Sequence, residues 1–375
     1  MRLPRNNRVS SGGSARPRRL LAVTLLAGLP LIGATACGGL PGADTTQDVS
    51  RPAHGRPAER PATCVDERKD ERKKDGKGEG KRISAPSPNG KPALPVPTHE
   101  DVPYAGTSDA QKLDLYLPEN AGKDAPLIIN VHGGSFRQGD KDMEKPNIAH
   151  QLRRGYAAAS VNYRLTGEAL FPAGVQDVKA AVRWLRAHAG ACGFDPGRLV
   201  IWGESAGGYM AQMVAVTGGR KTMFDDPALG HADVSSAVQA AVVWYAPNNF
   251  GAMDDQFRED TPKVCEGRLH PRDSAASSES QWLGAALPTI PGKVRRADPL
   301  TYLDTARDLP PFSIATGDAD CLVPHQQSRE LHKAVRRTGT RAELSIVPGV
   351  GHGPVVDRAE VGNALHFLDR TFDRG

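Results

Sequence analysis

One short glycine-rich motif constrains the fold of this chain more than any other feature. The motif Gly203-Glu204-Ser205-Ala206-Gly207-Gly208 directly follows the apolar run Leu199–Trp202 and precedes a helical pattern at Tyr209–Val216. A strand, a sharp turn and a helix in immediate succession leave room only for small residues beside the turn. A serine at such a corner is exposed and can stand beside a base, as a nucleophilic hydroxyl requires. We therefore predict that Ser205 is a nucleophile; the alternative is a plain glycine-rich turn.

A second glycine-rich segment, His132-Gly133-Gly134-Ser135-Phe136, follows the apolar run Leu127–Val131. Backbone N–H groups that converge on one point stabilise a developing oxyanion, and glycines let a substrate approach them. We expect an oxyanion hole built from Gly133, Gly134 and Ser135, completed by the N–H of Ala206. The alternative is a tight turn with a structural histidine. His132 precedes the serine and is suited to shaping this loop rather than to acting as the base.

The candidate base lies late in the chain. His352 is flanked by glycines in a loop after the last predicted strand, where core packing does not explain a histidine. Three other late histidines are less suited, because two lie on predicted helices and one follows a proline: His366, His332 and His325. His352 is therefore the predicted base.

A carboxylate should hold the base in the correct tautomer. Asp318 and Asp320 both follow the predicted strand Phe312–Thr316, and the residues alone leave both open. With either aspartate, the chain order is serine, acid, histidine.

The rest of the chain from about residue 99 alternates between apolar runs and helical patterns. The runs that predict strands are Leu113–Leu117, Leu127–Val131, Ala157–Val161, Leu199–Trp202, Ala240–Tyr245, Phe312–Thr316 and Leu344–Val347. The alternation predicts an α/β fold with a mostly parallel central sheet and helices on both faces. The loop-rich stretch 248–298 interrupts it and predicts a lid-like insertion at the ligand edge of the sheet. The alternative is a surface excursion away from the site.

The positive net charge belongs to the N-terminal part of the chain. Residues 1–36 hold six arginines and no acid, and residues 37–98 hold twelve basic and nine acidic side chains. The overall charge of +5 therefore leaves residues 99–375 with a net charge of −4. A nucleic-acid-binding protein carries its basic surface on the folded domain, so this class is excluded.

Residues 1–36 are typical of an export signal of the lipoprotein type. Arginines precede the apolar run Leu20–Ile32, and small residues lead to Cys37, the predicted lipidation site and membrane contact. The alternative is a plain signal peptide cut near Cys37. Residues 37–98 are rich in proline and charge and predict a disordered tether, or a removable pro-segment. The protein is expected on the outer face of the cell membrane or secreted.

Residues from Tyr104 to Phe372 resemble the esterase/lipase branch of the α/β-hydrolases, most of all the bacterial feruloyl-esterase-like and carboxylesterase group. The similar motifs include those at 113–118, 132–141, 162–165, 171–173, 194–208 and 277–280, and a Gly-x-x-Asp-x-x-Val-Pro pattern that ends at Pro324. The resemblance implies an α/β-hydrolase fold and a serine esterase that forms an acyl-enzyme without cofactor or metal. It also places the acid at Asp320. This chain departs from the group at Ser135, a common glycine position, and at Cys321, a common proline position.

Four cysteines remain besides Cys37, an even number that suits an oxidising compartment. They allow three pairings. We favour Cys265 with Cys321, because the insertion and the acid loop should both border the site. This pairing leaves Cys64 with Cys192.

Two other functions are kept as alternatives. A peptidase of the prolyl-oligopeptidase type shares the triad order, but residues before 99 cannot supply its large extra domain. A non-catalytic binding protein of the cell envelope is disfavoured because every triad position is filled. The substrate is expected to be a small-molecule or polysaccharide-linked ester.

Overall fold

The computed structural model describes Cys64 and residues 94–119 and 124–374. The predicted signal peptide, Cys37 and nearly all of the predicted tether lie outside these residues. Within them, no helix combines the length and the apolar character needed to cross a membrane. The described residues belong to one compact unit.

Eight strands form one sheet. They are β1 (His99–Pro103), β2 (Lys112–Tyr116), β3 (Leu127–Val131), β4 (Ala157–Val161), β5 (Leu199–Glu204), β6 (Ala240–Trp244), β7 (Phe312–Gly317) and β8 (Ala342–Val347). Their order is β1-β2-β4-β3-β5-β6-β7-β8. The pairs β1–β2 and β2–β4 are antiparallel, and all others are parallel. The predicted mostly parallel sheet is confirmed.

The α-helices in the described part of the chain lie on both faces of the sheet. They are α1 (Lys145–Arg153), α2 (Ala173–Cys192), α3 (Ala206–Thr217), α4 (Met253–Glu259), α5 (Ser278–Leu283), α6 (Pro291–Ala297), α7 (Gln326–Arg337) and α8 (Pro354–Thr371). Buried residues of α2, α3 and α7 share one apolar core with Ile129 and Ile201. Helix α8 packs on the opposite face, where Ile128, Val200 and Trp202 point. This alternation along the strands fixes which face each helix covers.

Four elements differ from their sequence-based predictions. The charged strand β1 has no apolar pattern and was not predicted. Apolar residues at helical spacing predict a terminal helix at Ala359–Phe372, but the observed helix begins earlier, at Pro354, because proline is well suited to the first helical position. The alternation in Leu113–Leu117 predicts a half-buried strand, but β2 is buried almost throughout, and the ion pair with Lys141 at 3.0 Å compensates for the burial of Asp114. Insertion 248–298 contains helices α4, α5 and α6 and packs on the core.

Candidate active site

The turn after β5 places Ser205 in a conformation that non-glycine residues rarely adopt. Ser205 has φ +52° and ψ −122°, and α3 begins at the next residue. A Cβ at Gly203 would overlap the carbonyl of Gly207, and a Cβ at Gly207 would overlap the carbonyl of Val131. The two glycines therefore allow the strand, the turn and the helix to approach closely. The structure places the predicted nucleophile on a sharp strand–helix corner.

His352 and Asp320 lie beside Ser205. The Nε2 atom of His352 is 2.9 Å from Ser205 Oγ, and its Nδ1 atom is 2.7 Å from Asp320 Oδ2. The other oxygen of the buried Asp320 accepts the N–H groups of Leu322 and Val323, at 2.7 and 3.0 Å. These two hydrogen bonds fix the carboxylate while its second oxygen faces the imidazole.

Asp318, which the residues alone left open as the acid, lies elsewhere in the loop. Its Oδ1 atom accepts the backbone N–H of Gly349 at 2.6 Å. This contact ties the loop after β7 to the turn after β8. The geometry therefore favours Asp320 over Asp318 as the partner of His352.

The loop after β3 lies against the nucleophile turn. A Cβ on Gly133 would stand 3.2 Å from Ser205 Cβ, so the loop passes directly over the serine. Gly134, Ser135 and Phe136 have φ values of +117°, +55° and +62°, which curl the backbone tightly. The carbonyl of Gly134 closes this curl by accepting two backbone N–H groups at 3.1 Å.

Ala206 completes the group of residues expected to supply oxyanion donors. It is the first residue of α3, so its N–H has no acceptor within the helix and lies at the positive end of the helix dipole. The structure thus brings Gly133, Gly134, Ser135 and Ala206 to the same turn as Ser205.

His132 lies behind this loop and away from the triad. Its Nδ1 atom is 2.7 Å from the carbonyl oxygen of Gly133, and its ring stacks on Tyr163 with centroids 4.6 Å apart. Burial lowers the pKa of His132, which favours the neutral ring. These contacts agree with a role in shaping the loop.

Phe136 anchors the same loop in an aromatic cluster. Its ring stacks on Trp282 of α5 at a centroid distance of 4.4 Å and meets Tyr209 and Phe250 edge-on. All four side chains are buried. The insertion therefore packs against the loop after β3 through this aromatic cluster.

Sequence analysis missed a cluster of three carboxyl groups beside Ser205 and His352, of which Glu144 and Glu204 are buried and Asp357 is half-buried. Tyr245, directly after β6, donates its hydroxyl towards Glu204 and lies 2.7 Å from Asp357 Oδ1. Glu144 interacts with Glu204 as well. Burial raises the pKa of Glu204 to about 8 and those of Glu144 and Asp357 to about 7. Two features of the sequence could have pointed to this cluster: Glu204 directly precedes Ser205, and Asp357 lies five residues after His352.

Two disulfides link distant parts of the described chain. Cys265 of the insertion is bonded to Cys321, the neighbour of Asp320, and Cys64 is bonded to Cys192. These are the pairs that the sequence analysis favours. The first disulfide attaches the insertion to the acid loop.

Among the described residues, no group of three or more His, Cys, Asp or Glu side chains could hold a metal ion.

The sheet order, the serine on its strand–helix turn and the late histidine together define an α/β-hydrolase. Residues 113–335 match the model of the BD-FAE family, and the chain belongs to that family. The resemblance to the esterase/lipase branch is thereby confirmed.

Two relatives from Mycobacterium tuberculosis are named as esterases. Esterase LipQ is 29% identical over 274 residues, which are 72% of this chain and 57% of LipQ. The probable carboxylic ester hydrolase LipM is 28% identical over 253 residues, which are 65% of this chain and 54% of LipM. The chain thus spans little more than half the length of either relative.

Solved structures are similar over most of the described chain. A structure described as a truncated form of a carbohydrate esterase from gut microbiota has a TM-score of 0.65 and 30% identity. That match covers 72% of this chain and 95% of the other. The bifunctional GH43-CE protein of Bacteroides eggerthii has a TM-score of 0.63 at 28% identity, over 72% of this chain and 38% of that one.

Proposed function

We propose that the protein is a serine carboxylic-ester hydrolase whose catalytic residues are Ser205, His352 and Asp320. The observation that carries the proposal is the continuous chain of contacts from Asp320 through His352 to Ser205, at 2.7 and 2.9 Å, on a strained turn. The names of the relatives support the same reaction class.

In the first half of the reaction, Ser205 Oγ attacks the ester carbonyl carbon while His352 Nε2 takes the hydroxyl proton. Asp320 accepts a hydrogen bond from the Nδ1–H of His352, which fixes the imidazole ring, and stabilises the imidazolium. The carbonyl π electrons move to oxygen, where N–H groups of Gly134, Ser135 and Ala206 receive the negative charge. The C–O bond of the alcohol then breaks, the alcohol takes the proton from His352, and an acyl-enzyme remains.

In the second half, water replaces the alcohol. His352 takes a proton from the water, whose oxygen attacks the acyl carbon, and the same N–H groups hold the second oxyanion. The bond to Ser205 Oγ breaks, and the serine recovers its proton from His352. One ester and one water thus give one acid and one alcohol, and no cofactor enters the balance.

The proposed substrate is a small-molecule or polysaccharide-linked ester, and the proposed location is outside the cytoplasm. The carbohydrate esterases among the similar structures support the first statement. The arginine-rich start, the apolar run before Cys37 and the two disulfides support the second. We assign residues 1–36 to the export signal, 37–98 to the tether and 99–375 to the catalytic domain.

A p-nitrophenyl ester series, from acetate to long acyl chains, tests this function with wild type and Ser205→Ala. We expect hydrolysis by wild type and a loss of more than about 10³-fold in kcat for the variant, with the fold retained in circular dichroism. Fluorophosphonate labelling of wild type alone would identify the nucleophile. Cleavage of dipeptidyl anilides without ester hydrolysis would instead indicate a peptidase, and absence of labelling would favour a binding protein.

A further inference from the structure

The carboxyl cluster beside Ser205 and His352 has no role in the reaction steps above, although two of its members lie close in sequence to these two residues. Glu204 directly precedes Ser205, and Asp357 lies in the first turn of α8, five residues after His352. The hydroxyl of Tyr245 bridges the two carboxyl groups. A single phenol therefore connects the turn of the nucleophile to the helix that follows the base.

Tyr245 also contacts the base directly. Its ring meets the ring of His352 edge-on, with centroids 4.7 Å apart and planes at 68°. Tyr245 is almost fully buried and has φ +35°, a conformation that a bulky residue keeps only when its surroundings hold it. The hydrogen bonds to Glu204 and Asp357 and the backbone N–H bond to Ala315 supply that constraint.

We propose that Tyr245 and the proton-sharing carboxyl groups of Glu144, Glu204 and Asp357 position His352. Ionisation of these carboxyl groups at alkaline pH then releases His352 and slows the reaction of Ser205. This inference rests on the proposed function, because it concerns the reactivity of the proposed base and nucleophile. Tyr245 is a positioning residue here, not a group that touches the substrate.

The shared phenol and the burial of the cluster favour protons on its carboxyl groups. The side chain of Glu144 is fully buried, and no lysine or arginine of the described chain pairs with it in a salt bridge. Glu204 is in contact with both Glu144 and Asp357, whereas the phenol offers only one proton. Carboxyl groups this close cannot all ionise, and a proton between two of them converts repulsion into a hydrogen bond.

The groups that face the cluster come from every element packed around it. Titratable groups in this environment are Tyr163 after β4, Tyr245 after β6 and His352 after β8, besides the three carboxyl groups themselves. The basic member of this set is His352. Each proton lost therefore adds a negative charge that no buried lysine or arginine of the described chain pairs with in a salt bridge.

Ionisation should disturb the triad through the elements that carry it. When Glu204 and Asp357 both become charged, the phenol can donate to only one of them, and the other is repelled. This repulsion acts on the turn of Ser205 and on the start of α8, so the Nε2 to Oγ contact loosens. A misplacement on the scale of 1 Å in such a contact is enough to lower a rate strongly.

The test is the rate at which a fluorophosphonate labels Ser205 between about pH 6 and pH 9.5, because labelling reports nucleophile reactivity without a known natural substrate. Wild type should lose at least about threefold in rate above about pH 8, reversibly. Glu204→Gln, nearly identical in shape but unable to titrate at this position, should lose clearly less of its rate than wild type over the same range, whatever its rate at neutral pH.

Tyr245→Phe removes the bridge, and Tyr156→Phe is its matched control. The hydroxyl of Tyr156 donates to Asp369 at 2.7 Å, near the other end of the same helix α8. Tyr245→Phe should lower labelling and kcat at least about fivefold at every pH, with KM for a p-nitrophenyl ester within about twofold. Tyr156→Phe should keep the wild-type rate and profile. Circular dichroism melts show that each variant is compared in its folded state.

Three results would overturn the proposal. They are a wild-type pH profile in Glu204→Gln, an unchanged rate in Tyr245→Phe, and an equal loss in Tyr156→Phe. If labelling requires Ser205 but these variants behave in this way, only the present inference fails. If Ser205→Ala labels as wild type does, or neither is labelled, the proposed function fails and this inference fails with it.

Discussion

Asp318 and Asp320 show how sharply two residues of one loop can differ in their contacts. The Asp320 carboxylate is buried, has one oxygen fixed by two backbone N–H groups and presents the other to His352. Asp318 accepts a single N–H from Gly349 and holds two loops together. Spacing along the chain could not distinguish them, because the distinction depends on where the loop after β8 brings His352.

A pair of amide substitutions tests this distinction. In Asp320→Asn, the amide oxygen can still accept from Leu322 and Val323, but the other end becomes an NH₂ group that favours the wrong tautomer of His352. We expect kcat to fall by about 10³–10⁴-fold, with the fold kept. In Asp318→Asn, the amide oxygen can still accept from Gly349, so kcat should stay within about twofold.

Ester hydrolysis assays at neutral pH, with melting curves for both variants, provide the measurement. Equal losses of kcat in the two variants would contradict the assignment of Asp320. The same would follow if Asp318→Asn lost activity and Asp320→Asn did not.

At the scale of elements, local patterns predicted the strands and helices that carry the triad, whereas contacts between elements were harder to foresee. The run Leu199–Trp202 and the small residues after it define the nucleophile turn within a few residues of sequence. Strand β1 was missed because its sequence, HEDVP, has no apolar alternation, and edge strands need none. Helices in the insertion were missed because each is shorter than two turns.

The two disulfides allow a comparison of two cross-links that differ in their distance from the triad. The sequence separations are 56 residues for Cys265–Cys321 and 128 for Cys64–Cys192. The chain-entropy model gives each a contribution of about 4–5 kcal/mol to the free energy of unfolding. Both double serine variants should therefore melt at lower temperature. Only Cys265→Ser/Cys321→Ser should also lower kcat, by about threefold or more, because Cys321 is the neighbour of Asp320.

Thermal melts and kcat, measured well below the melting temperature of each variant, separate the two effects. Cys64→Ser/Cys192→Ser is the control for loss of a disulfide as such. A fall in kcat of equal size in both variants would show that the cross-link next to Asp320 has no special effect on the acid loop.

At the scale of the whole molecule, the sheet order brings together residues that no local pattern connects. Glu144 precedes α1, Glu204 ends β5, Tyr245 follows β6 and Asp357 begins α8, so their sequence separations range from 41 to 213 residues. The contacts among Ser205, His352 and Asp320 could be predicted because the proposed chemistry restricts which residue types can serve. The carboxyl cluster could not, because each member is an ordinary acid or tyrosine until the fold buries it.

The same cluster should make the free energy of unfolding of the protein depend on pH. Its carboxyl groups have pKa values raised by burial to about 7–8 in the folded protein, above their ordinary values near 4. Between these limits the folded state binds more protons than the unfolded state. The free energy of unfolding contributed by these groups is therefore fully present below about pH 4 and falls as pH rises through about 8.

Lys179 acts in the opposite direction at higher pH. It is buried beside Asp225, with Nζ 2.7 Å from Oδ2, and burial lowers its pKa to about 8. Its contribution to the free energy of unfolding therefore rises between about pH 8 and the ordinary lysine pKa. The window between about pH 5 and pH 8 consequently reports the carboxyl cluster with little interference from Lys179.

Urea unfolding of wild type and Glu204→Gln at several pH values in this window tests the assignment. We expect the free energy of unfolding of wild type to fall by a few kcal/mol, an order-of-magnitude figure, from about pH 5 to about pH 8. Glu204→Gln should show a shallower slope, because one titrating group has become an amide that keeps its hydrogen bonds. Glu100→Gln, which replaces an exposed carboxyl on β1, should reproduce the wild-type slope. Parallel curves for wild type and Glu204→Gln would mean that Glu204 binds no extra proton in the folded state, and the proton-sharing arrangement would then be wrong.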